Sequence, residues 1–417
     1  MAPLKKTLRS LAPSPLVSLY HRALASMGSL IYRFPSRTLT VIAVTGTKGK
    51  SSTTEMLNAI FEEARHTTAL LNSIRIKVGD SSKPNVMRMS MPGRFFIQKF
   101  LRDAVSSGST VAILEMTSEG ARQHRHRAID LDALVFTNLA PEHIESHGSY
   151  EAYADAKFEI GLQLVRSHKR PRIIVANSDD AQGARYLALP IETALPFTLS
   201  GNTTWSADDE GGHFTFDGVT IPVHLPGEFS IKNALAAATL ARAMGIPAET
   251  IARGLDKLTS IPGRAERIDA GQDFTVVVDY AHTPDSLEAI YKAYGNARKI
   301  CVLGSMGGSR DTWNRPVKGR LAGAYCAEVI FTNEDPCDDD PVSIIQQLAD
   351  GAVGKKTHRI LDRREAIREA LRLAKTGDAV LITGKGTDPW IYGANGTKTP
   401  WSDAAVVREE LAKRSHE

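Results

Sequence analysis

The stretch VIAVTGTKGKSSTTEMLNAIFEEA, residues 41–64, constrains the fold more than any other part of the chain. An apolar run reads as a strand, Gly46 and Gly49 let the backbone turn tightly, and a helical pattern follows from Lys50. A strand, a glycine turn and a helix in that order make an anion site. Successive amides point inward, the helix offers its positive N-terminus, and Lys50 reaches toward phosphate charge. Ser51 follows directly and can place its hydroxyl on Mg²⁺, as in phosphate loops ending in GK[ST]. Thr45, Gly46, Thr47, Lys48, Gly49, Lys50, Ser51 and Ser52 are therefore the expected cradle for nucleotide phosphates, a structural glycine turn being the alternative. Val44 stands where such a loop usually has its first glycine.

The flanking sequence extends this into an α/β architecture. LTVIAVTG, STVAILEM, DALVFTN and RIIVAN each precede a turn or helix, the signature of a parallel sheet. From residue 201, GNTTWSADDEGGHFTFDGVTIPVHLPG reads as turn-rich antiparallel strands, a small β insertion, and SIKNALAAATLARAMGI follows as a helix ending at Gly245. A second series, FTVVVDYA, KICVLGS, AEVIFTN and DAVLITGKG, begins after a boundary near Pro262. The expected organisation is an amphipathic helical segment over 1–38, a phosphate-loop domain over 39–261, and a Rossmann-like α/β domain over 262–417.

In the first segment, Leu16, Leu19, Tyr20, Ala23, Leu24, Met27, Leu30 and Ile31 recur at helical spacing. Ser18, Arg22, Ser26, Ser29 and Arg33 take the other face, and Pro35 ends the helix. The stripe is expected to pack on the following domain. Lys5, Lys6 and Arg9 keep a second reading open, a weak membrane-surface contact.

Charge and cysteine content exclude several classes. The net charge is +4 and the cations are dispersed, so nucleic acid is not an expected partner and small anions are. Three cysteines, Cys301, Cys326 and Cys337, form no CxxC pair, which argues against a disulfide framework or a zinc ribbon. No apolar run approaches the ~20 residues of a membrane span, and no signal peptide is evident. A cytoplasmic monomer is the expectation.

GTKGKSS resembles the GTNGK[ST]T loop of the Mur ligase superfamily, with Lys48 at its asparagine. The resemblance recurs in order along the chain. TNLAPEHIESHGSYEAYADAK, LPGEFSIKNALAA, VVVDYAHTPDSL and LITGKGTD are similar to further blocks of that family. It implies a ligase that uses ATP and two Mg²⁺ ions to phosphorylate a carboxylate before an amine attacks it. It further implies a muramoyl peptide and an amino acid as substrates, in peptidoglycan precursor synthesis.

The resemblance also assigns residues. Glu115, at the end of strand VAILEM where α/β sheets place ligand groups, is expected to hold Mg²⁺ with Ser51. A surface glutamate is the alternative. His143 is the implied metal residue, with His147 at i+4 structural. Lys157 matches a lysine that CO₂ carbamylates into a carboxylate-like ligand, and otherwise reads as a solvated helix lysine. Asn233 is implied on the adenine side, or else as a helix cap. Arg264, Asp279 and His282 are implied to reach the nucleotide upon closure at a hinge near Ser260–Arg264, their alternative being an ion-pair set. Lys50, Glu115, His143 and Lys157 form the expected catalytic set.

The departures from the family pattern bear on the substrate. Thr117 and Ser118 keep an S-S pattern that contacts the acyl substrate, with Glu119 where histidine is usual. TNEDPCDDDP has Cys337 where diaminopimelate-using members carry arginine, and a thiol makes no bidentate carboxylate contact. Asp335, Cys337, Asp338, Gly384 and Asp388 are the expected amino-acid site. With Asp339 and Asp340 nearby, the field suits a distal cation such as that of L-lysine or L-ornithine; a solvated acidic loop is the alternative. Asn314 replaces a frequent lysine, with Arg310 or Lys318 as substitutes. Forty-odd residues precede the loop where the family has about a hundred, so the UDP site is expected to be reduced, supplied by another protein, or unnecessary. Alternatives are an amide ligase on a lipid-linked muropeptide, folylpolyglutamate or cyanophycin-like acceptor, and a non-catalytic nucleotide-binding partner.

Overall fold

The computed structural model describes residues 14–142, 147–201, 203–308 and 312–414. Each stretch quoted above as a strand forms one, because β-branched and aliphatic residues run together between turn residues and bury on both faces. The first sheet has eight strands: β1 (Thr40–Thr45), β2 (Thr68–Leu71), β3 (Arg75–Val78), β4 (Ser81–Pro84), β5 (Val111–Glu115), β6 (Ala133–Phe136), β7 (Ile173–Asn177) and β8 (Thr193–Phe197). Their order is β4-β3-β2-β5-β1-β6-β7-β8, parallel except for the β2-β3-β4 meander at one edge. β1 pairs with both β5 and β6, with Val44 opposite Glu115 and Thr45 opposite Phe136. This register brings the carboxyl ends of three central strands together at the glycine turn. One core cluster, including Val41, Ala43, Leu101, Leu114, Leu134 and Ile160, fills one side of this sheet.

The insertion is a three-stranded antiparallel sheet of β9 (Trp205–Ala207), β10 (Gly212–Phe216) and β11 (Val219–Val223). The second large sheet runs β12-β13-β17-β14-β15-β16, from β12 (Glu266–Arg267), β13 (Thr275–Asp279), β14 (Lys299–Leu303), β15 (Glu328–Phe331), β16 (Thr357–Arg359) and β17 (Ala379–Thr383). Only the β12–β13 pair is antiparallel. A two-stranded ribbon, β18 (Trp390–Tyr392) and β19 (Lys398–Pro400), follows.

The chain forms two compact units. The first comprises Met1–Ala140, Ser149–Thr203 and Asn233–Leu255, and the second Pro141–Gly148, Thr204–Lys232 and Asp256–Glu417. The three-stranded sheet thus groups with the second unit. In that unit Arg363 and Asp403, 1% and 0% exposed at their side chains, pair at 2.7 Å, and Arg363 also donates to the Thr383 carbonyl. That bond ties the C-terminal helix, Asp403–Arg414, to the end of β17.

Two expectations fail. The helix α1 (Ser14–Ile31) forms, but it lies the other way round. Leu19, Tyr20, Met27, Leu30 and Ile31 are exposed, while His21, Ala25, Gly28 and Ser29 are buried. Small side chains explain the choice. Ala25 and Gly28 let the backbone come close to the helix Arg94–Ser106, where a Cβ at Gly28 would already touch Gln98 and Phe95 at 3.6 Å. Ser18 bonds His124 at 2.7 Å on the same side. The Leu16 side chain lies outside the described part. The second failure concerns cysteine: Cys301 and Cys326 are disulfide-bonded, with Cα atoms 6.1 Å apart, because strand β14 and the end of a helix bring two buried thiols together. Cys337 lies outside this link.

Candidate active site

The turn between β1 and the helix Lys50–Glu63 is shaped by close approach. Gly46 has φ +143° and Gly49 φ +79°, and a Cβ would sit 2.0 Å from Thr137 Oγ1 in the first and 2.1 Å from Asn233 Oδ1 in the second. Glycine is required at both for space as well as for angle. Asn138 fixes the loop by accepting from the Thr47 and Lys48 amides at 2.8 and 2.9 Å, through its carbonyl and side chain respectively. Thr45 Oγ1 donates to the Met116 carbonyl, and Thr47 Oγ1 lies 3.0 Å from the Tyr153 hydroxyl. Gly49 supplies no side-chain cap and the first helical turn holds no acid, so the helix start remains suited to an anion. Lys50 Nζ bonds the Thr47 carbonyl at 2.9 Å, folded over the turn. Ser52 occupies the same first turn.

Beneath the turn lies Glu115, 4% exposed at the end of β5. Its Oε2 accepts from Ser51 Oγ at 2.8 Å and from the Ser73 amide at 3.1 Å, and its Oε1 accepts from Ser90 Oγ at 2.6 Å. Ser73 Oγ lies 2.8 Å from Ser51 Oγ. Burial raises the pKa of this carboxyl, but the Lys50 charge and the three donors outweigh it and hold the group below its usual range. Ser51, Ser73 and Glu115 together present hard oxygen donors of low charge, the chemistry that suits Mg²⁺. The surface-glutamate alternative fails.

Lys157 is 2% exposed, donates to the Gly46 carbonyl, and lies 4.8 Å from the Tyr153 ring centroid. It is therefore no solvated lysine. Asn233 is the sixth residue of the helix Glu228–Ala243 rather than its cap, and its Oδ1 lies 3.5 Å from Thr53 Oγ1. Thr117 caps the helix Ser118–Arg122 by accepting from the Gly120 amide, and Ser118 is buried behind it. Glu119 pairs with Arg122. His143 lies outside the described residues, as does Arg310. Among the described residues no three His, Cys, Asp or Glu side chains gather at one point.

The second unit assembles its residues at the carboxyl ends of its own parallel strands. Asp279 ends β13, accepting from the Ala265 and Ala281 amides at 2.6 Å each. Loss of hydration dominates over these bonds and over the nearby Arg264, and pushes its pKa up. The Arg264 guanidinium stacks 4.5 Å over the Tyr280 ring, and His282 lies between the Tyr280 carbonyl and Glu142 at 2.9 and 3.1 Å. Gly384 has φ +109°, and a Cβ there would meet Glu334 Oε2 at 2.4 Å.

Asp335 and Asp388 both grip Lys385, at 2.7 and 3.1 Å, in a group less than 4% exposed at its side chains. The three aspartates that follow Cys337 are also engaged: Asp338 accepts from the Asn395 amide, Asp339 pairs with Arg315, and Asp340 caps a helix. Cys337 sits among them in a left-handed conformation, φ +53°. Lys318 is buried and donates to the Gly304 carbonyl.

Sequence reading passed over Ser73, Ser90, Asn138 and Tyr153. Ser73 lies just past the carboxyl end of β2, so the rule that ligand groups gather there would have found it. Ser90 belongs to an irregular loop and carries no local signal.

A glycine turn opening on an uncapped helix, with a hydroxyl and a buried carboxylate beneath it in a parallel α/β unit, defines a phosphate-loop nucleotide enzyme. The comparisons narrow this class. Residues 44–241 match the model of the Mur ligase middle domain and residues 263–386 that of the Mur ligase glutamate ligase domain. A UDP-N-acetylmuramyl-tripeptide synthetase from Roseiflexus sp. is 36% identical, covering 94% of this chain and 82% of the relative. A UDP-N-acetylmuramoyl-L-alanyl-D-glutamate–2,6-diaminopimelate ligase from Halalkalibacterium halodurans is 33% identical, over 98% of this chain and 86% of the relative. The solved structure of a ligase of that second name superposes with a TM-score of 0.64 at 28% identity, covering 94% of this chain and 83% of the other. The chain belongs to the Mur ligase family, and is an ATP-dependent amide ligase.

Proposed function

We propose that this enzyme joins a diamino acid to the D-glutamate carboxylate of a UDP-N-acetylmuramoyl dipeptide, in the cytoplasm. The Ser51–Glu115 pair under an uncapped helix start carries the reading, since it places phosphate and Mg²⁺ chemistry at one point. Mg²⁺ neutralises phosphate charge when bound. Ser51, Glu115 and, through a carbamylated side chain, Lys157 would hold the two ions with His143. Lys50 and the loop amides orient ATP, and Thr117 and Ser118 face the acyl substrate. The carboxylate oxygen takes the γ-phosphoryl group as the bond to ADP breaks. The amine then attacks the acyl carbon, phosphate leaves with the bonding pair, and the amine proton passes to a base. Arg264, Asp279 and His282 are proposed as nucleotide contacts, with Asn233 on the adenine side.

The amine we propose is a basic one, L-lysine or L-ornithine. Cys337 offers no guanidinium to a distal carboxylate, and Asp335, Asp338, Gly384 and Asp388 are the residues proposed to complete the amine site. The engagement of those acids makes the missing arginine the stronger argument. Phosphate release with UDP-N-acetylmuramoyl-L-Ala-D-Glu is the test, run against L-lysine, L-ornithine, meso-diaminopimelate and no amine. Selection of a basic amino acid is expected, and Cys337→Arg should move preference toward diaminopimelate by about tenfold or more. Release with diaminopimelate alone overturns the choice of amine. No release with any pair overturns the acceptor.

A further inference from the structure

The apolar face of α1 points away from the protein it belongs to. Leu19, Tyr20, Met27, Leu30, Ile31 and Phe34 lie within sixteen residues and are 36 to 63% exposed. They make up half of the large hydrophobic side chains exposed among the described residues. Isolated surface hydrophobics are ordinary, but a contiguous stripe marks an interaction surface. The buried face, His21, Ala25, Gly28 and Ser29, is small and polar by contrast. Folding therefore leaves outside the stripe that a helix of this pattern would normally cover.

Charge identifies the occupant. Arg22 lies beside the stripe on the helix, and Arg33 follows its end; both are exposed. Up to Arg37 the sequence has six cations, Lys5, Lys6, Arg9, Arg22, Arg33 and Arg37, and the first acidic residue is Glu55. Those six alone exceed the net +4 of the whole chain. An exposed apolar stripe edged by arginine, in a segment without acids, complements a surface that is apolar within and anionic at its face. No helix among the described residues is long and apolar enough to cross a membrane, so the fit is to the interface.

We propose that α1 docks this enzyme on anionic lipid bilayers, its outward stripe seated at the headgroup boundary and its arginines on lipid phosphates. The inference is independent of which amine the ligase uses.

The test is flotation of the full chain with phosphatidylcholine vesicles, with and without phosphatidylglycerol. Binding is expected with phosphatidylglycerol, and should weaken by about tenfold or more in high salt. Leu30→Ser with Ile31→Ser should cost at least about another tenfold. Leu19→Ser with Met27→Ser, on other turns, should do the same if the first pair is poorly folded. Phosphate release in solution should be unchanged in these variants. Absence of binding at low salt, or binding unaffected by both variant pairs, overturns the proposal. Sedimentation showing a dimer that the same variants disperse overturns it too, and assigns the stripe to a second copy.

Discussion

Glu115 and Asp279 each end an inner strand of a parallel sheet, one in each unit, and their surroundings push them in opposite directions. Three protein donors and the Lys50 charge surround Glu115, enough to overcome full burial. The backbone amides of Ala265, Ala281 and Tyr280, together with Arg264, are not enough for Asp279. Hydroxyl donors and a lysine that bends back over the turn serve the first, whereas the arginine of the second rests on an aromatic ring. Position at a strand end offers a carboxylate to a ligand, and the local donors decide whether it waits as an anion.

The largest expected effect separates the two directly. Glu115→Gln should lower phosphate release by more than about a hundredfold with the fold retained by circular dichroism. Asp279→Asn should cost less turnover, and equal losses would mean the two carboxylates share one role. Lys50→Met is expected to match the Glu115 variant, since it removes both the proposed phosphate contact and a charge that holds the Glu115 pKa down.

The glycines come next. Gly46→Ala drives a Cβ into Thr137 at a positive φ, and should destabilise the protein by about 2–4 kcal/mol in urea unfolding. Gly384→Ala meets the end of a glutamate side chain, which can swing aside, so a smaller loss is expected. The reverse order would show that Glu334 is held as firmly as Thr137.

Stability against pH gives a smaller effect with opposed signs. Glu115 has a lowered folded-state pKa, so its contribution is present above the ordinary carboxylate range and lost as pH falls through the folded value. Asp279 has a raised one, so its contribution is present at acid pH and lost as pH rises through the folded value. Melting temperatures across the acid range should therefore show Glu115→Gln approaching wild type on acidification, and Asp279→Asn gaining on wild type as pH rises. The smallest change is Ser90→Ala. It removes one of three donors to Glu115, and should shift its acid transition upward at a cost of about 1 kcal/mol.

How much of this could be read beforehand follows from how local each cause is. The phosphate loop, the principal parallel strands and the β insertion were legible because glycine spacing and apolar runs act within a few residues. The buried setting of Glu115 was legible only as a strand end, since its partners Ser73 and Ser90 come from loops 42 and 25 residues away. Helical period located α1 but not its orientation. Periodicity says which residues share a face, and the partner surface decides which face turns inward. The acidic loop was misleading for a related reason: charge is visible in sequence, whereas Lys385 and Arg315, which engage it, are visible only once folded.

The Arg363–Asp403 pair also orders events during synthesis. Forty residues separate the two, and the arginine leaves the ribosome first. Until the aspartate follows, the second sheet must either keep a cation out of its interior or bury it with carbonyl partners alone and no counter-charge, at a cost of several kcal/mol. The second unit can therefore complete its packing only after the segment around residue 403 has emerged. The first unit, whose phosphate loop is translated near the start, has its last segment at Asn233–Leu255.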